Sequence, residues 1–322
     1  MVRTTVVIPN YKGIDYIGGC LRSLYEGSVP VDVILVDNHS ADGSLKLVRQ
    51  DFPQVKIVAF SENKGFPAAV NAGIRVAETE YVLLLNNDTA ADTKLVEQLE
   101  NALDAHPEAF SVSAKMLQMK NPEKLDGAGD FYCAFGWAFA RGKDRTADRL
   151  RDPDRVFSAC GGCALYRRSL FSRIGLFDEN HFAYLEDIDI GYRANIYGYP
   201  NRYEPKAVVY HAGSAASGSK HNAFKVTLSA KNSIYLIYKN MPVLQIIINL
   251  PFLAAGYLVK AAFFSLKGLG KDYLKGLSEG FMLSCSKEGK AHKVSFKWKN
   301  LKNYFWIQIQ LWVNICRLLW GR

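Results

Sequence analysis

The sequence predicts an α/β protein: a Rossmann-like parallel sheet covered by helices on both faces, then a helical region suited to a membrane surface. Three observations predict it. Short apolar runs alternate with amphipathic segments through the first hundred residues. Those runs are continuously apolar, as strands buried on both faces are. Beyond Ile237 the composition turns basic and aromatic around a long uncharged stretch.

The elements follow in order. Thr5–Ile8 reads as a strand and Tyr16–Tyr25 as a helix; Val31–Val36 is a β-branched strand, Ser44–Phe52 a helix and Val55–Phe60 a strand. Pro67–Ala77 is a helix, Tyr81–Leu85 a strand, and Asp92–Ala105 a helix opening on a capping residue. Ligands bind such sheets at the carboxyl ends of the strands. Those ends read Pro9-Asn10-Tyr11, Asp37-Asn38-His39, Glu62-Asn63-Lys64-Gly65 and Asn86-Asn87-Asp88. From Phe110 to about Pro205 the pattern loosens, and Arg141–Arg155 has the charge density of a mobile loop. Asn240–Val259 is a 20-residue run without a charge, followed by basic Lys287–Lys302 and an aromatic helix, Tyr304–Trp320. The domain division expected is 1–236, catalytic, and 237–322, helical, basic and aromatic.

Charge location excludes one class of partner. The net charge is +9, from 40 Lys/Arg against 31 Asp/Glu, but residues 237–322 alone hold 13 against 3. The rest is therefore close to neutral. Basic residues beside the most apolar stretch suit an anionic membrane better than nucleic acid, whose partners line polar grooves. The N-terminus runs straight into a strand, with no export signal, so a cytosolic active site is expected. The 6 cysteines form no disulfide framework, which fits a reduced compartment.

Several residues are candidates for chemistry. Asp88 ends a buried strand after two amides, and Mg²⁺ or Mn²⁺ needs hard oxygen ligands of this kind. Asp88 and Thr89 equally suit the turn before the next helix. Glu186, Asp187 and Asp189 crowd three carboxylates into four residues. Mutual repulsion raises their pKa values and suits a general base, while a helix start would also attract them. His211 closes a β-branched run; as a lone histidine it fits a structural role unless a metal is already argued. Cys160-Gly-Gly-Cys163 has redox or half-zinc spacing, yet no second such pair exists. Its glycines, which let backbone approach a ligand, carry more weight.

Together these pieces resemble glycosyltransferase family 2, of the GT-A fold, and most of all its bacterial rhamnosyltransferase-like members of cell-wall and surface polysaccharide synthesis. The matching segments are Val7–Tyr11, Val36–Ser40 with Asp42–Ser44, Glu62–Phe66 through Asn71–Gly73, Leu85–Asp88, Gly161–Arg168, Gly175–Glu179, Tyr184–Asp189 and Val209–His211. The resemblance implies that Pro9, Asn10, Tyr11 and Asp37 hold the nucleoside, and that Asn63 and Gly65 line the same pocket. Asn86, Asn87 and Asp88 occupy the place of the Asp-x-Asp motif, so Asp88, with His211, would hold Mg²⁺ or Mn²⁺. Asp187, second of the pair with Glu186, matches the catalytic base. Asn86 departs from the pattern as an amide where many members have a carboxylate, which weakens the charge of the metal site.

The implied activity is inverting transfer of a sugar from a nucleotide sugar, with dTDP-rhamnose the first donor and UDP-hexoses next. The implied acceptor is a polyprenyl-diphosphate-linked saccharide, and the implied place is the cytoplasmic face of the cell membrane. A sugar nucleotidyltransferase would show a glycine-rich basic loop after the first strand, and Asn10-Tyr-Lys-Gly13 is too short and polar for one. A non-catalytic adaptor would have lost Asp88, Asp187 or His211, and a polymer-extruding synthase needs more than one apolar run. Pro251 is expected to split that run into two short helices that dip into the membrane. A buried hairpin or a homo-oligomer contact is the alternative.

Overall fold

The computed structural model describes residues 2–213 and 222–320. Its parallel heart comprises β1 (Thr4–Asn10), β2 (Asp32–Asp37), β3 (Lys56–Ala59) and β4 (Tyr81–Leu85), linked by α1 (Ile17–Tyr25), α2 (Ser44–Asp51) and α3 (Gly65–Val76). β1 pairs in parallel with both β2 and β4, and β2 with β3. Both faces are buried, as the continuous apolar runs require. Val6, Ile8, Leu35 and Leu83 pack with α1, α2 and α4 (Leu95–Ala105), whereas Val7, Ile34, Val36 and Leu84 pack with α3. α3 lies so close to the sheet that a Cβ on Gly73 would sit 2.2 Å from Val7 Cγ1. α4 begins at Leu95 and not at Asp92, because Asp92 accepts the Lys94 N–H and forms a turn ahead of it.

Beyond β4 the sheet is mixed rather than parallel. It adds β5 (Thr89–Ala91), β6 (Ser111–Gln118) and β7 (Asn121–Gly127). A separate hairpin, β8 (Asp130–Cys133) with β9 (Trp137–Ala140), precedes β10 (Asp154–Val156), β11 (Cys163–Arg167) and β12 (Asn201–His211). β11 runs antiparallel between β4 and β6, and β12 pairs in parallel with β6 and antiparallel with β5. Two registers matter for function. Cys163 opposite Leu85 brings the glycine pair beside Asn86, and His211 opposite Thr89 brings the histidine beside Asp88. The segment 141–155 is tethered, contrary to the mobile loop expected. Arg141 pairs with Asp154 at 2.8 Å, and the Arg155 guanidinium stacks 3.5 Å from the Trp306 ring centroid.

α5 (Phe171–Ile174) and α6 (Glu186–Ile196) complete the sheet's second face, and α7 (Ala223–Asn240), α8 (Val243–Leu266), α9 (Gly270–Cys285), α10 (Lys287–Ala291) and α11 (Leu301–Trp320) follow. The expected boundary at 236/237 falls inside α7. Leu236, Ile237, Tyr304, Ile307 and Leu311 share one core with Phe131, Phe157 and Tyr192, so the C-terminal helices are packed into the catalytic unit.

α8 passes through Pro251 as one helix, which corrects the expected pair of short helices. The polar residues that interrupt the apolar run point inward. Tyr192 donates to Gln245 at 2.7 Å, and Asn249 and Gln308 exchange two hydrogen bonds of 2.8 Å. These amide contacts bind α8 to α6 and α11. Its other face is bare, with Leu244 68%, Leu258 70% and Leu266 89% exposed.

Candidate active site

A cleft of about 550 Å³ opens at the carboxyl ends of β1, β2 and β4. Pro9, Asn10, Tyr11, Asn63, Gly65, Asn86, Asn87, Asp88 and His211 all line it, as expected, and are joined by Asn38, Phe66, Tyr184 and Phe224. Of the other expected site residues, Glu186 and Asp187 do not line it, and neither does Asp37. It is 1% exposed and stands behind the wall, accepting hydrogen bonds from Asn10 Nδ2 and the Ser40 N–H, each 2.9 Å. The β1–β2 register sets Asn10 opposite Asp37, so the carboxylate is satisfied by the nearest donors and positions Asn10. Asn10 in turn accepts from Asn87 Nδ2 at 2.8 Å, tying the first strand end to the fourth.

On one side of the cleft His211 bridges two carboxylates. Its Nε2 lies 3.1 Å from Asp88 and its Nδ1 2.7 Å from Asp126, which also pairs with Lys143 at 2.8 Å. Burial opposes charge on the imidazole, but hydrogen bonds from it to Asp126 and Asp88 prevail and raise its pKa to about 9. Asp126 is held low, near 2, because its bonds to His211 and Lys143 outweigh its burial. A carboxylate and an imidazole fixed by a second carboxylate form a donor set that fits a hard divalent cation. A cation there must displace the proton on Nε2.

Two other acidic clusters could hold a metal by proximity alone. In the first, Asp178, His181 and Asp189, the Lys239 ammonium already lies 2.6 Å from Asp178 and 2.9 Å from Asp189, and it balances the two carboxylates together with Arg193 on Asp189. In the second, Asp130, Cys160 and Asp187, burial pushes up the Asp130 carboxyl and the Cys160 thiol. Cys163 is fully buried in β11, and all 6 cysteines are free.

Asp187 opens α6 near the cleft. A Cβ on Gly161 would lie 3.3 Å from Phe66 and 3.8 Å from Asp187 Cβ, so the glycine spaces the base from a cleft-lining ring. The Ile188 N–H donates to Asp187 at 2.7 Å. Burial raises the pKa of both Asp187 and Asp130, and a hydrogen bond with Asp130 works against the rise at Asp187. Glu186 is buried with Oε2 unpartnered, and burial and then Asp187 raise its pKa to about 8. The repulsion predicted from sequence acts on Glu186, through Asp187, whereas the rise at Asp187 comes from burial. Asp189 is the correction: burial opposes its charge, yet Arg193, Lys239 and further groups lower its pKa, so it is a buried anion in an ion-paired network.

The loop before α6 is strained. Phe182, Tyr184 and Leu185 have φ of 61°, 69° and 67°, conformations that L side chains rarely adopt. The Asn232 amide on α7 helps hold it, its Nδ2 within 2.8–2.9 Å of the carbonyls of His181, Ala183 and Tyr184, and the Phe66 N–H donates to the Phe182 carbonyl at 2.7 Å. Gly65 meets it from the other side, where a Cβ would come 2.3 Å from the Phe182 oxygen. Sequence reasoning missed Asp126, Asp130, Asn232, Lys239 and Phe224. The acidic, glycine-spaced Asp126–Asp130 stretch was the available signal for the first two.

Residues 5–175 match the family model described as glycosyl transferase family 2, and the chain belongs to that family. It is a glycosyltransferase of the GT-A fold. Over 216 residues it is 30% identical to an N-acetylglucosaminyl-diphospho-decaprenol L-rhamnosyltransferase of Mycobacterium tuberculosis, spanning 59% of this chain and 69% of that one. It is 26% identical to rhamnosyltransferase WbbL of Escherichia coli over 64% of this chain and 81% of that one. The mannosyltransferase PcManGT from Pyrobaculum calidifontis, solved with GDP-Man and Mn²⁺, shares the fold at TM-score 0.54 and 20% identity, over 99% of this chain and 88% of that one.

Proposed function

We propose that this enzyme transfers L-rhamnose from dTDP-rhamnose, with inversion, to a polyprenyl-diphosphate-linked saccharide during cell-wall or surface polysaccharide synthesis. One observation carries the reading: a cleft at the strand ends has Asp88 and His211 on its wall and an ionisable Asp187 close by, in a chain similar to a decaprenol-linked rhamnosyltransferase. Pro9, Tyr11, Asn38 and Asn63 hold the nucleoside, with Asp37 supporting Asn10 from behind. Asp88 and His211 hold Mg²⁺ or Mn²⁺, which supplies Lewis-acid stabilisation of the diphosphate leaving group. Asp187 removes the acceptor hydroxyl's proton as it attacks. Asp130 and Glu186 are both buried, so neither supports a covalent intermediate, and a single displacement inverts the anomeric centre.

A panel of nucleotide sugars tests the donor. With Mn²⁺, dTDP-rhamnose is expected to raise Tm and to be turned over, and EDTA to abolish both effects. Asp126→Asn is expected to require about 10–100-fold more metal, since it loosens the group that orients His211. A UDP-hexose outperforming dTDP-rhamnose would replace the donor, and full turnover in EDTA would remove the metal.

The enzyme attaches to the cytoplasmic leaflet through α8 and α11 without crossing it. α8 is long and apolar enough to span a bilayer, but its amide-bearing face is committed to α6 and α11. Only the bare face, with Phe305, Trp312 and Trp320 of α11 also exposed, remains for lipid. The full-length protein is expected to float with anionic vesicles and to resist salt extraction, and Leu244→Asp with Leu258→Asp to leave it in solution. Equal flotation of that double variant would assign the face to another partner.

A further inference from the structure

Next to the donor cleft a second cavity, of about 590 Å³, is walled by α7, α8 and α9. Tyr184 lines both cavities, and on α7 the neighbours Phe224 and Lys225 line the cleft and the cavity respectively. Tyr184 is only three residues from Asp187, so the second cavity adjoins the acceptor side of the site. Its lining has two characters. Val259 and Phe263 belong to the exposed apolar face of α8, at 55% and 42% exposure, and also line the cavity. Lys260 is half-buried among Trp137 and these apolar groups, its Nζ 5.3 Å from the indole centroid. No carboxylate among the described residues forms an ion pair with it. The indole face attracts the ammonium but does not neutralise it, and an anionic ligand supplies the counter-charge.

We propose that this cavity is the acceptor's lipid-diphosphate subsite: Lys260 pairs with the diphosphate, and Val259, Phe263 and Phe264 cover the first isoprene units. The proposal rests on the transferase reading above and names the part of the acceptor that the enzyme grips. The charge and the apolar wall both suit a prenyl diphosphate, and neither alone does. The wall is continuous with the face assigned to the membrane, so the prenyl chain passes from bilayer to cavity, and the saccharide extends past Tyr184 towards Asp187.

The probe is farnesyl diphosphate, titrated calorimetrically into the full-length enzyme. Binding is expected, with farnesol and inorganic diphosphate each binding at least 10-fold more weakly. Lys260→Met is expected to weaken farnesyl diphosphate at least 10-fold and Lys260→Arg to restore most of it, while dTDP-rhamnose binding stays unchanged in both. With a synthetic N-acetylglucosaminyl-diphospho-farnesyl acceptor, Lys260→Met should raise the acceptor KM with kcat within a few-fold. Failure of wild-type enzyme to bind farnesyl diphosphate, or equal binding by Lys260→Met, overturns the subsite. Intact donor binding in that case leaves the transferase reading standing. Displacement by phosphatidylglycerol vesicles but not by the soluble acceptor would make the cavity a headgroup site and equally overturn the proposal.

Discussion

Replacing Asp187 by Asn is expected to lower transfer by about 10²–10⁴-fold while donor affinity stays within a few-fold. Asn preserves the shape and still accepts the Ile188 N–H, so the strained loop and α6 keep their positions. What is lost is the ability to take a proton. Burial raises the Asp187 pKa, so activity is present above that pKa and disappears as pH falls through it. Asp130 sharpens the test. Its hydrogen bond with Asp187 favours the ionised form of the base. Asp130→Asn keeps an N–H donor and is expected to retain most activity. Asp130→Ala removes the donor and should move the acid limb of the rate profile to higher pH. Near-normal turnover by Asp187→Asn would remove it from the mechanism, and an unmoved acid limb in Asp130→Ala would end the positioning role of Asp130.

Loss of Lys239 is expected to damage the fold as heavily as loss of Asp187 damages the chemistry. Its ammonium, 3% exposed, pairs with Asp178 and Asp189, and the latter is also held by Arg193 at 2.8 Å. This network joins the loop before α6, the first turn of α6 and α7. Those are the elements that aim the base. Lys239→Met leaves two buried carboxylates short of a cation, a change that typically costs about 3–5 kcal/mol. In a chain of this size that is a fall in Tm of about 5–10 °C. The effect should depend on pH in a definite direction. Burial works against the Asp178 charge, but Lys239 leads the groups that hold its pKa down near 2. A depressed carboxylate contributes stability above its unfolded pKa of about 4 and loses it as pH falls towards 2. The gap in Tm between wild type and Lys239→Met should therefore be largest near neutrality and shrink in acid. A variant as stable as wild type at pH 7 would mean that the network sets register without contributing stability.

This network also ties the segment after Ile237 to the one before it, and residue 236 itself lies inside α7. The change in composition after Ile237 is real, but composition records what a segment meets at its surface, and Lys239 meets the interior. A lysine in a run that turns basic looks like a headgroup contact. Only the packed structure shows two carboxylates, brought from Asp178 and Asp189, closing around it.

By itself the sequence determined the alternation of strand and helix through Ala105, the polar strand ends, and the adjacency of Glu186 and Asp187, while the pairing of Asp88 with His211 was implied only by the family resemblance. These are local: apolar periodicity sets the element, and the first polar residues after a buried strand are forced to its end. Tertiary structure alone decided which carboxylates are charged and which hold a proton. Asp187 and Asp189 are two residues apart on one helix, yet burial raises the pKa of the first while Arg193 and Lys239 lower that of the second. It also decided that Asp126 backs His211, that Asp37 stands behind Asn10, and that Gln245 and Asn249 turn α8 into a one-faced helix. Each depends on a partner distant in the chain, and the energy of a charge or an amide is set by what surrounds it rather than by its neighbours in sequence.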